Sequence, residues 1–492
     1  MNNNNTASAA RRTVLAAALA AAFTVAAPGA HAQSNAELLK ELRALRERVA
    51  ELEKRVAATP APAPAPVAAA SAAAPAPETQ PGMTAEQAQD FARIATKTEA
   101  LEDTRDANGF KNLKISGYLD PSFIANRARN TASLQFLNGV GDDGYTYDNS
   151  YFGAVALDVQ KETDSGTRYR LTLIPNRGSE SVGRSDNRLV HEASAMVPLG
   201  SLRTYLLAGH IPDWSGYEYL QPTLNKLITH NLLFDFTLPT SYTGAGVQHT
   251  MGKWMVKALL ADMNASKKPS GNKTPAFAYR VDYAKGEFHS MGFAGVHGKA
   301  VNFKTRVVGQ QWALDPEDGV IKQMDVEAQE PESRVDLFEI DGSFIRGDWT
   351  LQGQASIGRQ RRAAITPDPL TGALRDARWW GLSGLVAYKV TPRFETVARL
   401  DYINNRKNGG GLLGYTANDS HNGIGYAPGG DPERGANRAA LSLGLLYAFD
   451  TNTTLKAEYR LDRASQPVFE YVETGEYKKT NHLLGASVVV SF

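Results

Sequence analysis

The chain has 492 residues, with 53 Lys+Arg against 52 Asp+Glu and a formal net charge of +1; the balance removes the electrostatic case for a nucleic-acid partner, and the length exceeds one typical domain. With 0 cysteines, disulfide frameworks, thiolate metal sites and cysteine nucleophiles are excluded. The mean hydropathy of -0.35 describes a polar chain, which does not count against a transmembrane barrel, whose strands meet lipid only at every second side chain.

Arg11 and Arg12 precede an apolar run from Val14 to Ala27, and Ala30-His31-Ala32 puts small residues ahead of Gln33. The run is shorter than the roughly 20 residues a spanning helix needs, so residues 1–32 read as a secretory signal peptide rather than an anchor. A barrel has to arrive unfolded, which favours general secretion over a twin-arginine route. Next, Leu38, Leu42, Leu45, Val49, Leu52 and Val56 alternate spacings of four and three, the seam of a coiled coil over 35–58. Glu41 faces Arg46 and Arg48 faces Glu53 across parallel chains in register, and about three heptads are marginal as a lone helix, so self-association is expected. Val at a with Leu at d leans towards dimers, whereas Arg48-Val49-Ala50-Glu51-Leu52-Glu53 resembles a pattern of trimeric coiled coils. Residues 59–82 are nearly all Ala and Pro, an extended semi-rigid linker. Thr84 with Gln87 gives a capping box, and Phe91, Ile94, Thr98 and Leu101 keep a helical stripe, so a further helix is expected over 83–106.

Within 110–492, from about Asn112, the period becomes two. Leu443, Leu445, Tyr447 and Phe449 alternate with small or polar residues, Asp450-Thr451-Asn452 turns, and Leu455, Ala457, Tyr459 and Leu461 then alternate with Lys456, Glu458, Arg460 and Asp462. Four charges in succession on one face suit a water-filled lumen better than a soluble sandwich. Strands pair across short links at Lys161 to Gly166, Gly200-Ser201, Gly252-Lys253, Lys285-Gly286, Gly347-Asp348, Thr391-Pro392-Arg393 and Asp450 to Asn452. Between them lie long polar connections: Asn126 to Ser150, Pro175 to His191, Ile211 to Thr243, Met263 to Pro275, Gly298 to Ser333, Gln360 to Arg378, Arg406 to Ala436 and Ala464 to Thr480. Strict alternation of short and long connections is the asymmetry of a bacterial barrel, and eight long loops imply about 16 antiparallel strands, or about 18 if Val301 to Trp312 adds a pair. The fold class is therefore an all-β transmembrane barrel behind a helical coiled coil and a Pro/Ala linker. The same alternation turns Arg168, Arg170, Arg280, Asp282, Glu339, Asp341, Arg399, Asp401, Lys456, Glu458, Arg460 and Asp462 towards the lumen. Their charges balance, so no ion preference is read from them.

At the C-terminus Leu484, Ala486, Val488, Val490 and Phe492 share one face, which resembles the signal read by the barrel-assembly machinery, with Val490 where that signal usually has a second aromatic. Signal, coiled coil, spacer, barrel and terminal Phe together resemble Gram-negative porins with an N-terminal periplasmic coiled coil. The stretch Ile211-Pro-Asp-Trp-Ser-Gly-Tyr-Glu-Tyr-Leu-Gln-Pro-Thr-Leu-Asn-Lys-Leu resembles, more particularly, a group of uncharacterised porin-like proteins. The resemblance implies an outer-membrane location, passive diffusion of small hydrophilic solutes, a homotrimer, and partners limited to membrane lipid, the assembly machinery, further copies of the chain and the solutes. It also implies that the third long connection, between the fifth and sixth strands, folds inward to narrow the channel. That connection carries Asp213, Trp214, Tyr217, Glu218, Tyr219, Lys226, His230 and Asp235, with a helical interior expected around Leu220 to Asp235.

Two rivals come from other classes. An outer-membrane hydrolase needs a Ser/His pair at even spacing on one strand face, and none of the 9 His has a Ser two positions after it. A non-conducting anchor or adhesive protein would carry a plugged barrel. Asp142, Asp143 and Asp148 in a Gly-rich loop could hold Ca²⁺ through oxygen ligands, although a solvated acidic loop is the commoner case. No cofactor, resident metal or catalytic residue is expected.

Overall fold

Strands that are apolar on one face and polar on the other have unpaired edges, and in a bilayer the only remedy is to close the sheet into a ring. The computed structural model describes residues 85–107, 109–137, 152–175, 189–264, 273–284, 289–302, 304–314, 319–330, 332–411 and 425–492. The stretches expected to be a signal peptide, a coiled coil and a Pro/Ala linker, Thr84 of the expected capping box and the Asp142 to Asp148 stretch lie outside the described residues. A first unit, Met1–Arg105, contains most of helix α1 (Ala85–Ala107), and a second unit runs from Asp106 to Phe492.

In the second unit the strands are β1 (Leu113–Leu119), β2 (Ser122–Asn126), β3 (Thr131–Gln135), β4 (Val155–Glu162), β5 (Arg168–Leu173), β6 (Val190–Pro198), β7 (Thr204–Pro212) and β8 (Ser241–Met251). There follow β9 (Trp254–Met263), β10 (Ala276–Ala284), β11 (His289–Ala300), β12 (Thr305–Leu314), β13 (Ile321–Gln329), β14 (Ser333–Arg346) and β15 (Trp349–Gln360). The last are β16 (Ala377–Lys389), β17 (Phe394–Asn404), β18 (Arg438–Ala448), β19 (Thr453–Ala464), β20 (Phe469–Tyr471), β21 (Glu476–Lys478) and β22 (Thr480–Ser491). Eighteen of these join one antiparallel sheet. Both β1 and β2 pair with β22, so they are two halves of one strand, and β3 and β4 pair back on those halves as two halves of the next. Eighteen segments with two such pairs give a closed ring of 16 strands.

The expected seven short links all join neighbouring barrel strands, and Phe492 ends beside them, its amide and carbonyl bonding Gly117 at 3.1 Å. Three expectations are corrected. The connection from Asn126 to Ser150 is not one loop: the chain turns at residues 127–130, β3 returns along β2, and the excursion leaves only after Gln135. The Val301 to Trp312 stretch adds no barrel strands, because β12 pairs only with β13 in a separate hairpin, as β20 does with β21. The Leu220 to Asp235 helix shrinks to one turn, α2 (Leu232–Phe236), for a reason given below.

Side-chain exposure marks the two faces of the wall. On β18, β19 and β22 the outward residues Leu441, Leu443, Tyr447, Leu455, Tyr459, Leu484 and Val488 are exposed and apolar, while their inward neighbours are buried. Ala486 and Val490 also lie on the outward face, and Phe492 is 67% exposed. Paired aromatics stand outward at the short-turn end, with Trp254 4.7 Å from Tyr283 and Trp349 4.6 Å from Tyr388, the position of an interfacial aromatic girdle.

Candidate functional site: the loop seated in the barrel

The connection between β7 and β8, residues 213–240, follows the fifth barrel strand and runs inside the ring. Three features make it turn inward rather than continue as a helix. Gly216 takes φ +83°, Pro222 and Pro239 interrupt the backbone, and Asn231 caps α2 by accepting from Leu233 N at 2.9 Å and Phe234 N at 2.8 Å. The residues before Asn231 send their polar backbone groups to the wall, so they have no need of helical partners.

The apolar seats are cut by glycines. On β16, β18 and β22 the inward residues Gly381, Gly444 and Gly485 receive Leu233, Leu227 and Ile228; a Cβ at Gly444 would stand 2.3 Å from the Leu227 side chain. Leu232, Leu233 and Phe236 are 0%, 0% and 1% exposed against Trp379, Ile403 and Ala440. Each such side chain contributes about 1.5–3 kcal/mol on burial.

Between these seats lies a buried ionic network. Arg399 donates to Glu218 at 2.8 Å, Asp401 at 3.0 Å, the Thr229 carbonyl at 2.7 Å and the His230 carbonyl at 2.8 Å. Glu458 accepts from the amides of Ile228 at 2.7 Å and Thr229 at 2.8 Å and from the Thr229 hydroxyl at 2.6 Å. Lys456 donates to the carbonyls of Pro222 and Asn225, both at 2.6 Å, and Arg460 to that of His230 at 2.7 Å. Asp462 joins Arg460 and Arg438, and Glu395 holds Lys226 at 2.8 Å. Five cations (Lys226, Arg399, Arg438, Lys456, Arg460) thus meet five carboxylates (Glu218, Glu395, Asp401, Glu458, Asp462). Asp120, a further buried carboxylate on this side, bonds Ser122 and Ser487 instead. A buried ion pair roughly cancels its own desolvation, so the apolar seats hold the loop and the ions fix where it sits.

All twelve residues read as lumen-facing lie on the inward face, in two different situations. Arg399, Asp401, Lys456, Glu458, Arg460 and Asp462 are 0–6% exposed beneath the loop rather than in open water. Arg168, Arg170, Arg280, Asp282 and Asp341 stay on the uncovered wall, with Glu339 fully buried behind them. Arg168 pairs with Glu162 at 3.2 Å near a short turn. Arg170 pairs with Asp158 at 2.9 Å and Glu192 at 3.4 Å. Arg280 pairs with Asp282 and Asp341, each at 2.7 Å, with Glu339 at 3.9 Å. Gly292 leaves room for this guanidinium, since a Cβ there would stand 2.7 Å from it.

Of the eight loop residues, Asp213, Trp214, Tyr219 and Asp235 border a cavity of about 660 Å³ between the loop and the uncovered wall, which presents Arg170, Glu192, Lys257, Arg280, Asp282 and Asp341. Asp213 accepts from Tyr242 at 2.7 Å and from Ser215 N at 2.9 Å, and the Trp214 ring lies 5.1 Å from Tyr242 and 5.5 Å from the Lys257 ammonium. Tyr217 and Glu218 border the same cavity but bond to the wall, Tyr217 through Ser383 at 2.5 Å. Lys226 and His230 fasten the loop, His230 stacking on Phe234 at 4.2 Å. The sequence reading missed Asp158, Glu192 and Lys257, which the two-residue period would have turned inward, and the three seat glycines, which carry no charge signal.

No curated protein matches the chain. Among solved structures it is similar to Salmonella typhi OmpF in complex with daunomycin, at 10% identity over 77% of this chain and 97% of that one, with a TM-score of 0.47. OmpT, an outer membrane protein of Vibrio cholerae, is 12% identical over 77% and 97%, with a TM-score of 0.46. An anion-selective porin from Comamonas acidovorans is 9% identical over 77% and 99%, with a TM-score of 0.45. The model of a family described as Protein of unknown function (DUF3138) matches residues 10–492, nearly the whole sequence, and this chain, a closed 16-strand barrel, belongs to that family.

Proposed function

We propose that the protein is an outer-membrane channel for passive diffusion of small hydrophilic solutes, that residues 213–240 form its constriction, and that it works as a homotrimer. The observation that carries this reading is the seated loop: it takes one side of the lumen and leaves a polar cavity of about 660 Å³ against the other. A barrel serving only as an anchor has no need of a loop fixed by a charge-matched network and three glycine seats. The outward apolar face and aromatic pairs support a bilayer location. The chemistry is binding and passage, with no covalent step; His289 and Ser290 are neighbours that face opposite sides of β11.

The test is single-channel recording of the purified mature protein in planar bilayers, beside a variant lacking Trp214 to Asp235. Stable steps, larger in the variant, are expected. A barrel silent in both forms would move the function to a non-conducting anchor. Native mass spectrometry of the full mature chain is expected to give trimers, and monomers would remove that part of the proposal.

A further inference from the structure

The outer face of the wall carries an apolar groove with a cationic end. On β14, β15 and β16 the outward side chains are Ile340, Phe344, Leu351, Ile357 and Leu382, and Gly342, Gly353 and Gly384 share their face. The register sets those glycines side by side, with Met291 beyond Gly342 and Leu400 beyond Gly384. A Cβ would have its nearest neighbour at 3.4 Å on Gly342 and 3.9 Å on Gly353, and open space on Gly384; at every other described barrel-strand glycine it would meet an atom at 3.1 Å or nearer. A glycine inside a strand weakens it, and marks a bulge or a place where something else comes close. The ladders joining β14 to β15 and β15 to β16 run through these positions without a shift of register, so no bulge accounts for them.

The space forms a groove of about 650 Å³, with Tyr283, Met291, Phe344 and Leu351 over the backbone of Gly342 and Gly353. Towards the short turn it continues into a hollow of about 550 Å³ that shares His289 and Phe344 and ends at Arg346. The His289 ring lies 4.4 Å from that of Phe344. Arg346 stands opposite Trp349 in the register, so the guanidinium is at the depth of the aromatic girdle, where headgroups lie. The Arg346 side chain is exposed and makes no ion pair among the described residues.

We propose that this face of β11, β14 and β15 binds a phospholipid of the leaflet on the short-turn side, the periplasmic one, with an acyl chain along the glycine groove and the phosphate on Arg346 beside His289. Charge complementarity selects this occupant. A guanidinium offers a phosphodiester two parallel N–H donors, and a phospholipid brings that anion and an apolar chain in one molecule. A second copy of the chain would have to bring its own carboxylate to Arg346, since covering an unpaired guanidinium is costly. The site does not depend on what passes through the lumen.

The experiment is native mass spectrometry of the full mature protein released from detergent micelles containing phosphatidylglycerol. One phospholipid per chain is expected to survive collisional activation that strips the remainder. Arg346→Gln with His289→Gln should lower the retained fraction about fivefold or more. Gly353→Leu, whose Cβ has room, should lower it similarly by filling the groove. Arg203→Gln, on the short turn between β6 and β7, should leave it unchanged. Migration on unheated gels checks that each variant's barrel is closed. No lipid retained by the parent protein, retention that none of the groove variants reduces, or an equal loss in Arg203→Gln overturns the site. Trimers that fall to monomers in Gly353→Leu while Arg346→Gln with His289→Gln loses no lipid would make the groove an interface between copies and overturn the phospholipid assignment.

Discussion

The covered and uncovered sides of the barrel wall are written in the same residue types, yet they are different materials. On β17 and β19, Arg399, Asp401, Glu458, Arg460 and Asp462 are 0–1% exposed and bond either to the loop or to one another. On β5 the Arg170 side chain is 41% exposed and pairs only along the wall. The sequence alternation is equally regular in both places, so what separates them is the loop. A charge that a loop covers becomes a fastener, and a charge left in the water becomes part of the passage.

The largest expected effect falls on the covered side. Arg399→Met leaves Glu218 and Asp401 buried without their cation, and removing one partner of such a pair costs about 3–5 kcal/mol. Urea unfolding in lipid vesicles should show that loss, together with larger conductance steps as the loop loosens. An unchanged midpoint would mean that the network fastens nothing.

Gly444→Val sharpens the comparison from the apolar side. Its branched side chain meets Leu227 where even a Cβ stands 2.3 Å away, and overpacking of this kind costs about 1–3 kcal/mol. Higher conductance with the barrel still closed, read by heat-modified gel migration and bilayer recording, is the expected outcome. Normal conductance would show that the seat can be vacated without moving the loop.

Arg170→Gln, on the open side, should be the mildest. Its side chain is 41% exposed, so solvent screening limits the stability loss to about 1 kcal/mol or less. The result to look for is a higher cation preference with an almost unchanged urea midpoint. A loss as large as that of Arg399→Met would erase the distinction between the two sides.

Much of the ring was legible because a strand's geometry is local. In the Leu441 to Leu461 stretch the two-residue period fixed which side chains face in, and the register that pairs Leu443 with Tyr459 and Ser442 with Arg460 follows from a turn at Asp450 to Asn452. The misses have equally physical causes. A period of two does not distinguish a barrel strand from a hairpin standing on its own, so β12 and β13 looked like additional barrel strands. Thr131 to Gln135 has only five residues, with Ala132 and Leu134 as its whole apolar set, too short a run to stand out, so the return of β3 along β2 was hidden inside a long connection. In Leu220 to Asp235, Leu224, Leu227, Ile228 and Leu232 fall at helical intervals, yet Leu227, Ile228 and Leu232 are buried against the wall while Leu224 is exposed.

By itself the sequence determined the alternation, the short and long connections, the inward set of charges and the position of the loop between the fifth and sixth strands, since each depends on residues adjacent in the chain. Only the tertiary structure decided which of those charges are covered. That choice depends on Glu218 reaching Arg399 and Thr229 reaching Glu458 across more than 180 residues, and on glycines in three separate strands leaving space for Leu227, Ile228 and Leu233, a coincidence that local spacing does not encode.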